Sequence, residues 1–340
     1  MIDKNTAKSA ATSWTARLAP YKGPDLRHSL WQLISTFALL AGTWTVMYLS
    51  LRVSYWLTLL LAIPAAFFQI RLFIIQHDCG HGSFFRSSRA ADIVGSLLGV
   101  LTLTPYHYWK RTHAMHHATN GNLEHRGFGD IDTLTVDEYL ALTRWGRFKY
   151  RVYRHPLVLF AIGPVVHFFV KHRIPMIVPA SWERERRSIL WTNVGLAAFV
   201  TLMGLLFSFK SFFLVHLPLT VFSCSIGVWL FYVQHQFEPT YWEHDDQWAF
   251  EAAALEGSSW YVLPRPLQWL TGNIGLHHVH HLNARIPNYR LQRVLDENPE
   301  LQRVTRITAW QSIKCVSLAL WDEQNRKLVG FRTARRMARA

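Results

Sequence analysis

Four long apolar segments, arranged in two pairs, constrain the fold of this chain more than any other feature. They cover residues 30–51, 53–75, 189–209 and 212–233. An α-helix rises about 1.5 Å per residue, so each segment is long enough to cross a hydrocarbon layer about 30 Å thick. Very short turns containing Arg52 and Lys210 join the members of each pair. The sequence therefore predicts an all-α integral membrane protein built on two transmembrane hairpins, which is four transmembrane helices.

Two shorter apolar runs lie between the pairs, at residues 93–103 and 156–170. Neither reaches the roughly 20 residues that a spanning helix needs, and Gly163 and Pro164 interrupt the second run. Both runs are therefore interpreted as interfacial or re-entrant pieces. A single crossing by either run would place the flanking parts of the chain on opposite sides of the membrane.

Arg71 is a charged residue within the second long segment, near its end. An arginine at such a position can extend toward the lipid headgroups, and this snorkelling arrangement is the expected one. A side chain that faces the protein interior is the alternative.

Lysine and arginine are concentrated outside the four segments. Five lie in residues 1–29, fifteen in 76–188 and thirteen from 234 onward, whereas each hairpin turn carries one. Under the positive-inside rule, the large connecting regions face the cytoplasm. The predicted organisation is a cytoplasmic N-terminal segment (1–29), a first hairpin (30–75), a cytoplasmic helical cap (76–188), a second hairpin (189–233) and a cytoplasmic C-terminal region (234–340).

The formal net charge of +14 suits either nucleic acid or an anionic membrane surface. Because the basic residues lie between long apolar segments, a membrane is favoured and nucleic acid is excluded as a partner. Cys79, Cys224 and Cys315 are far apart and form no CxxC pair, which indicates neither a disulfide framework nor a thiolate metal site.

Eight of the eighteen histidines fall into three short groups, all outside the apolar segments. The groups are His77 with His81, then His113 with His116 and His117, and finally His277 with His280 and His281. Spacings of three and four residues place imidazoles on one face of a helix. An even number of crossings separates the groups, so the predicted topology puts all three on the cytoplasmic side.

Clustered imidazoles indicate a metal centre. Neutral imidazole binds iron, zinc, copper or nickel, and eight ligands exceed the needs of one zinc site. Two metal ions sharing the set is the economical interpretation, with iron as the redox-active choice. His235, where the fourth segment ends, is the leading further ligand, whereas His278 would point about 100° away from His277 on a helix. Cys79 is interpreted as a packing residue.

Metal-bound imidazoles usually donate their other N–H to an oxygen acceptor, and nearby carboxylates are candidates for that role. Those near the histidine groups are Asp78, Glu124, Asp130, Asp132 and Glu238. Each is also explained as a solvated acidic residue, so the sequence leaves their roles open.

The three groups read H-D-C-G-H, H-A-M-H-H and H-H-V-H-H, and the last is followed by L-N-A-R-I-P-N-Y-R-L. In order and spacing they resemble the three histidine boxes of the membrane fatty acid desaturases, most closely the bacterial acyl-lipid enzymes of the omega-6 (delta-12) type. The resemblance extends from about Gln76 to Tyr289. It implies that the eight box histidines and His235 bind two iron ions. Where acyl-CoA desaturases carry an asparagine one turn before the extra histidine, this chain has Phe231.

The resemblance also implies an activity. Dioxygen would be the co-substrate, and hydrogens would be removed from adjacent methylenes of a membrane lipid acyl chain to leave a cis double bond. An external donor such as ferredoxin or cytochrome b5 would supply electrons, because the sequence contains neither a Gly-x-Gly-x-x-Gly nucleotide motif nor a His-Pro-Gly-Gly motif. The site would face the cytoplasm from a bacterial inner membrane. Tyr106, Trp109 and Tyr232 are candidates to line an acyl tunnel, or are interfacial anchors.

Three other functions fit parts of the pattern. A di-iron hydroxylase of the same superfamily, acting on an alkane or acyl chain, would share the boxes. A non-catalytic membrane metal transporter should carry its ligands at mid-membrane, whereas these lie at the ends of the spans. A membrane zinc protease is suggested by the first group, which imitates H-E-x-x-H with Asp78 in place of glutamate, but it leaves the later groups unexplained.

Overall fold

A computed structural model describes residues 13–127 and 129–338. The predicted residues 1–12 of the N-terminal segment lie outside this range, as do Phe128 and residues 339–340. The described chain is mostly helical, as predicted. Its helices are α1 (Trp14–Arg17), α2 (Leu26–Ser50), α3 (Tyr55–His81), α4 (Ser88–Leu101), α5 (Tyr106–Thr119), α6 (Val136–Ala141), α7 (Arg144–Tyr153), α8 (Gly163–Val165), α9 (Glu183–Phe207), α10 (Phe209–His235), α11 (Phe250–Glu256), α12 (Arg265–Leu270), α13 (His277–Leu282), α14 (Leu291–Glu297), α15 (Ala309–Cys315) and α16 (Phe331–Met337).

Four helices of the described chain, namely α2, α3, α9 and α10, are long and apolar enough to cross a membrane. They correspond to the four predicted segments, which confirms the four-helix membrane architecture. α2 and α3 are joined by four residues, 51–54, and a hydrogen bond of 2.7 Å between the Ser50 and Thr58 hydroxyls closes this hairpin. The second hairpin turns at Ser208, which has a φ of 64°. The packing between hairpins is close because α3 presents Ala62, Ala65 and Ala66 to bulkier partners.

α3 does not end with its apolar run. It continues from the predicted limit at residue 75 to His81, so the first histidine group lies on an uninterrupted extension of a membrane helix. Gly82 ends the helix in the left-handed conformation, with a φ of 66°, which glycine adopts without steric penalty. The predicted boundary between hairpin and cap therefore falls inside a rigid helix.

The two short apolar runs behave differently from each other. The first lies mostly in α4, a helix of 14 residues that ends at Leu101, two residues before the end of the run. The second forms a helical segment, residues 158–173, which includes turns of π-helix on either side of α8. Together with α7 this segment is long and apolar enough to cross a membrane, but the pair is bent by 58° at a short break. Their interfacial or re-entrant placement stays a prediction.

Arg71 is turned toward the protein interior. Only 7% of the residue is exposed, its guanidinium donates to the Trp269 carbonyl, and it lies 4.1 Å from the centre of the Trp269 ring. The expected snorkelling arrangement is therefore wrong, and the alternative holds. The cause is a tertiary contact, because α12 lies across this part of α3 and offers both a carbonyl and an aromatic face.

Within the described residues, five short strands, which the sequence did not predict, form two small sheets. They are β1 (Leu134–Thr135), β2 (Trp260–Val262), β3 (Arg306–Thr308), β4 (Leu320–Asp322) and β5 (Lys327–Val329), with sheet orders β1-β4-β5 and β2-β3. The second sheet positions the last histidine group. The Tyr261 N–H donates to the Gly275 carbonyl at 2.8 Å, two residues before α13. A Cβ on Gly275 would lie 2.5 Å from the Tyr261 carbonyl oxygen, so this close approach requires glycine.

Replacing Gly99 with alanine should destabilise the cap. A Cβ there would lie 2.5 Å from the Thr104 carbonyl oxygen in the α4–α5 connection, and backbone cannot move aside as a flexible side chain can. We expect a loss of about 1–3 kcal/mol, as for other overpacked positions, measured as thermal unfolding of the detergent-solubilised protein. Gly42→Ala in α2 is the matched control, because nothing lies within 4 Å of its added methyl group. An equal effect of both substitutions would contradict the steric explanation.

Candidate metal centre

Nine histidines converge in two groups, in each of which one nitrogen per residue lies within 4.8 Å of all the others. The five-histidine group contains His77, His81, His113, His117 and His280. The four-histidine group contains His116, His235, His277 and His281. These are the eight box histidines together with His235. The structure brings together every histidine that the sequence nominated, and it leaves His278 out of both groups.

Each of the two shorter box helices divides its histidines between the groups. On α5, His113 and His117 face the five-histidine group and His116 faces the other. On α13, His280 joins the five-histidine group, and His277 and His281 join the four-histidine group. Residues four apart stay in one group, but His116 and His280, each three residues after a box histidine, join the other group. The expectation that offsets of three and four both bring the imidazoles of a box to one point is therefore wrong for the offset of three. Both boxes have the spacing H-x-x-H-H, which supplies ligands to two neighbouring groups from one helix.

Packing against the membrane helices holds α5 in place. The Tyr106 hydroxyl donates to the Cys79 carbonyl of α3 at 2.9 Å. On the other side, α9 begins six residues before its predicted span, and this extension carries Glu185, which accepts from Arg111 at 3.2 Å. The Ser188 hydroxyl of the same extension accepts from the His107 backbone N–H at 3.1 Å. α5 is thus fixed to both hairpins.

The Nε2 atoms within each group approach one another closely. His235 Nε2 lies 3.1 Å from His116 Nε2 and 2.9 Å from His277 Nε2, and His277 Nε2 lies 3.1 Å from His281 Nε2. In the other group, His117 Nε2 lies 3.1 Å from His113 Nε2 and 3.0 Å from His280 Nε2. Nitrogen atoms this close together suit ligands that would share one metal ion, because a metal–imidazole bond is about 2.1 Å long.

The protonation of these rings also fits a metal site. Burial is the main cause that holds the pKa values of His113, His117, His280 and His281 well below the usual histidine range, and neighbouring imidazoles lower them further. They are therefore neutral near pH 7, which is the form that binds metal. His81 Nε2 is buried and has no hydrogen-bond partner, which is costly unless it has a ligand.

Among the described residues, three of the nine histidines have an oxygen acceptor at Nδ1, the ring nitrogen that does not face the group. His77 Nδ1 lies 3.1 Å from Asp78 Oδ1, His116 Nδ1 contacts Asp130 Oδ1, and His235 Nδ1 lies 3.1 Å from the Gly257 carbonyl oxygen. An oxygen acceptor at Nδ1 selects the tautomer that leaves Nε2 free for a metal. Asp78 and Asp130, both nominated from the sequence, therefore lie where such acceptors are needed.

The structure does not bring the other three nominated carboxylates to the ligand histidines. The Glu124 side chain contacts His244 and accepts from the Asp245 backbone N–H. The Glu238 carboxylate accepts from the Leu328 backbone N–H, and burial raises its pKa to about 7. Asp132 is contacted through its backbone, by Tyr150, Tyr153 and Arg154. Closeness in sequence to a box was the only signal for these residues, and the loops direct them elsewhere.

The three nominated aromatic residues also differ in position. Trp109 stacks on His113, with ring centres 4.4 Å apart, and contacts Phe73 edge-on. Tyr106 and Tyr232 are almost fully buried, and the Tyr232 hydroxyl donates to the Cys315 carbonyl. Both tyrosine hydroxyls therefore donate to backbone carbonyls of other helices, while Trp109 lies beside the histidines. Tunnel lining stays a prediction.

Sequence reasoning missed two polar residues close to the centre. Asn288 and Gln32 are buried and hydrogen-bonded to one another, and Asn288 also contacts Asp78. Asn288 lies in the stretch after the third box that carries the family resemblance, which was its only signal in the sequence. Phe231 was singled out as a departure, and its ring centre lies 5.2 Å from that of His116 and 5.1 Å from that of His235. It forms an apolar wall of the four-histidine group.

Comparison with known proteins agrees with this geometry. The model of the fatty acid desaturase family matches residues 50–310. A protein of Bacillus subtilis (strain 168) named fatty acid desaturase is 46% identical over 318 residues, which are 94% of this chain and 90% of that protein. Two Synechocystis proteins are more distant. The sn-1 acyl-lipid omega-3 desaturase (ferredoxin) is 29% identical over 66% of this chain and 62% of its own length, and the sn-1 oleoyl-lipid 12-desaturase is 26% identical over 77% and 74%.

Proposed function

The chain belongs to the fatty acid desaturase family, and we propose that it introduces a cis double bond into a membrane lipid acyl chain by means of a histidine-ligated di-iron centre. The observation that carries this proposal is the convergence of nine buried imidazoles into two adjacent groups. An all-nitrogen ligand set in two groups suits two redox-active ions of the first transition series, and among these iron fits dioxygen chemistry.

The five-histidine and four-histidine groups would each hold one iron ion. Two reduced iron ions bound there would supply redox chemistry that couples the reduction of dioxygen to the removal of two hydrogen atoms from adjacent methylenes. The balance is one dioxygen, two electrons and two protons consumed with the two hydrogens, giving one double bond and two waters. The two electrons come from an external donor.

The protein's own residues prepare the site for this reaction. Asp78, Asp130 and the Gly257 carbonyl hold the Nδ1 atoms of three ligands, which directs their Nε2 atoms inward. Burial keeps bulk water away from the histidines, which suits a reaction on an apolar chain. Trp109 and Phe231 contact ligand imidazoles with apolar ring surface, so each is placed to contact an acyl chain close to the metal ions.

The relatives support the finer assignments in part. Two carry names that specify an acyl or oleoyl lipid as substrate, and one names ferredoxin. We therefore assign this chain a glycerolipid acyl chain as substrate and a ferredoxin-type protein as the external donor. The named positions differ between omega-3 and 12, and we assign delta-12 (omega-6) on the box resemblance. The site is assigned to the cytoplasmic side of a bacterial inner membrane because the large basic regions carry the histidines.

Expression in cells rich in saturated and monounsaturated lipid tests the function. A new double bond should appear in membrane acyl chains only when oxygen is supplied, and gas chromatography with mass spectrometry gives its position. Cells that carry the empty vector and cells grown without oxygen are the controls. Insertion of a hydroxyl group would indicate the hydroxylase instead. Iron uptake by vesicles without an oxygen-dependent product would indicate a transporter, and either result would overturn the proposal.

A further inference from the structure

We propose that Asn288 and Gln32 are positioning residues for the metal held by the five-histidine group, acting through Asp78 on His77. The inference rests on the proposed di-iron function and adds to it two residues outside the histidine boxes. It also connects the first membrane helix, α2, to the metal centre. Four buried side chains form one continuous hydrogen-bonded chain in the order Gln32, Asn288, Asp78 and His77.

Asp78 is the central member of this chain. One carboxylate oxygen, Oδ1, lies 3.1 Å from His77 Nδ1. The other, Oδ2, accepts from the Asn288 backbone N–H at 2.7 Å and from the Asn288 side-chain amide at 2.8 Å. Asn288 therefore holds the Asp78 carboxylate with two hydrogen bonds to Oδ2 and leaves Oδ1 directed at the His77 imidazole. These hydrogen bonds determine the position of the His77 ring.

Asp78 needs these two hydrogen bonds because it is buried. Only 2% of its side chain is exposed, and the side chain that faces its Oδ1 is the His77 imidazole. A buried carboxylate without lysine or arginine must be satisfied by hydrogen-bond donors, since desolvation otherwise costs several kcal/mol. Loss of the Asn288 amide would leave Oδ2 with one donor. The carboxylate would then rotate to seek another donor, and His77 would lose its fixed acceptor.

Gln32 determines which way the Asn288 amide faces. Gln32 Nε2 donates to Asn288 Oδ1 at 2.9 Å, and Asn288 Nδ2 lies 3.3 Å from Gln32 Oε1. With Oδ1 occupied by Gln32, Nδ2 is the group that faces Asp78. The opposite amide orientation would put Oδ1 against the carboxylate, which pairs two acceptors and has no stabilising hydrogen bond. Gln32, in the N-terminal part of α2, thus determines the orientation of the Asn288 side-chain amide.

The four-histidine group is built differently. Its carboxylate, Asp130, is more exposed than Asp78, at 13% against 2%, and it contacts His116 from the loop after α5. The Gln32–Asn288 chain does not reach this group. Disruption of the chain should therefore weaken one metal ion more than the other, and this asymmetry distinguishes positioning from a general loss of stability.

The test uses Asn288→Leu and Gln32→Met, which remove the hydrogen bonds at nearly constant volume. Each full-length variant is purified in detergent and loaded with ferrous iron, and iron per chain and its rate of release to a ferrous chelator are measured. Wild type should bind two irons. In Asn288→Leu, one of the two should be released about 10- to 100-fold faster, and Gln32→Met should show the same selective effect to a smaller degree.

Two control variants separate positioning from stability. Thr36 lies one helical turn from Gln32 on α2, and its buried hydroxyl has no hydrogen-bond partner among the described residues. Thr36→Val removes this hydroxyl, so iron release should not change. Asn298→Leu removes a buried amide that caps the Val294 carbonyl, and it should lower the unfolding temperature while both irons are retained.

Each outcome decides the matter. Selective release of one iron in Asn288→Leu supports the inference. Wild-type release of both irons in Asn288→Leu and Gln32→Met would overturn it, as would equal loss of both irons in Asn288→Leu. A wild-type protein that binds no iron would instead overturn the proposed function, which is a separate result.

Discussion

Replacing His116 with alanine should abolish desaturation while the protein still inserts into the membrane. His116 is fully buried, its Nε2 lies 3.1 Å from that of His235, and its other ring nitrogen contacts Asp130. The substitution leaves three imidazoles in a group of four. Since loss of an outer partner of a metal ligand already costs about 10- to 100-fold, we expect loss of the ligand itself to reduce activity by at least about 100-fold.

The measurement is gas chromatography of acyl chains from cells that express the variant, with the amount of membrane-inserted protein determined in parallel. His172→Ala is the matched control, because His172 is also buried but belongs to neither histidine group. Its activity per inserted molecule should stay close to that of wild type. Full activity in His116→Ala would refute the di-iron assignment.

His235→Ala should have an effect of similar size, although this histidine lies outside the three boxes. Its Nε2 is within 3.1 Å of the Nε2 atoms of both His116 and His277, so it joins ligands from two different helices. Its Nδ1 lies 3.1 Å from the Gly257 carbonyl oxygen, which holds the ring in place. We expect iron in the purified protein to fall from two ions per chain to about one, and desaturation to fall at least about 100-fold.

His216→Ala offers the control for this variant, since His216 lies on the same helix, α10, and stacks on Phe212 away from both groups. Iron content should be unchanged in His216→Ala even where stability falls. If His235→Ala retained two irons and wild-type activity, eight histidines would suffice and His235 would be a structural residue of the helix end.

The transmembrane helices were predictable because their signal is local and one-dimensional. A run such as residues 30–51 has no alternative to a helix in hydrocarbon, since each backbone polar group must be satisfied within the segment. Helix ends were less predictable. Hydropathy does not predict that α3 continues to His81, because Gln76, His77 and Asp78 are polar. Gln76 donates to the Thr104 carbonyl in the α4–α5 connection, and Asp78 accepts from the Asn288 backbone N–H in the C-terminal region.

Contacts between distant residues were beyond prediction for a related reason. Arg71 faces inward because α12, nearly 200 residues later, supplies Trp269. Asn288 reaches Asp78 across 210 positions. Glu124 lies closer in sequence to the second box than Asp130 does, but only Asp130 contacts a ligand. A single sequence does not indicate which loop residue contacts a distant ligand histidine. That contact depends on how all the intervening helices and loops pack.

By itself, the sequence determined the membrane architecture, the identity of the eight box histidines and their local groups on helices. Length, hydropathy and a spacing of three or four residues are sufficient for these, because each is a property of one segment in a known solvent. Only the tertiary structure decided how His116 is separated from His113 and His117, and which acceptor each ring has. That division depends on the relative rotation of α3, α5, α10 and α13, which their side-chain packing establishes together and which no single segment encodes.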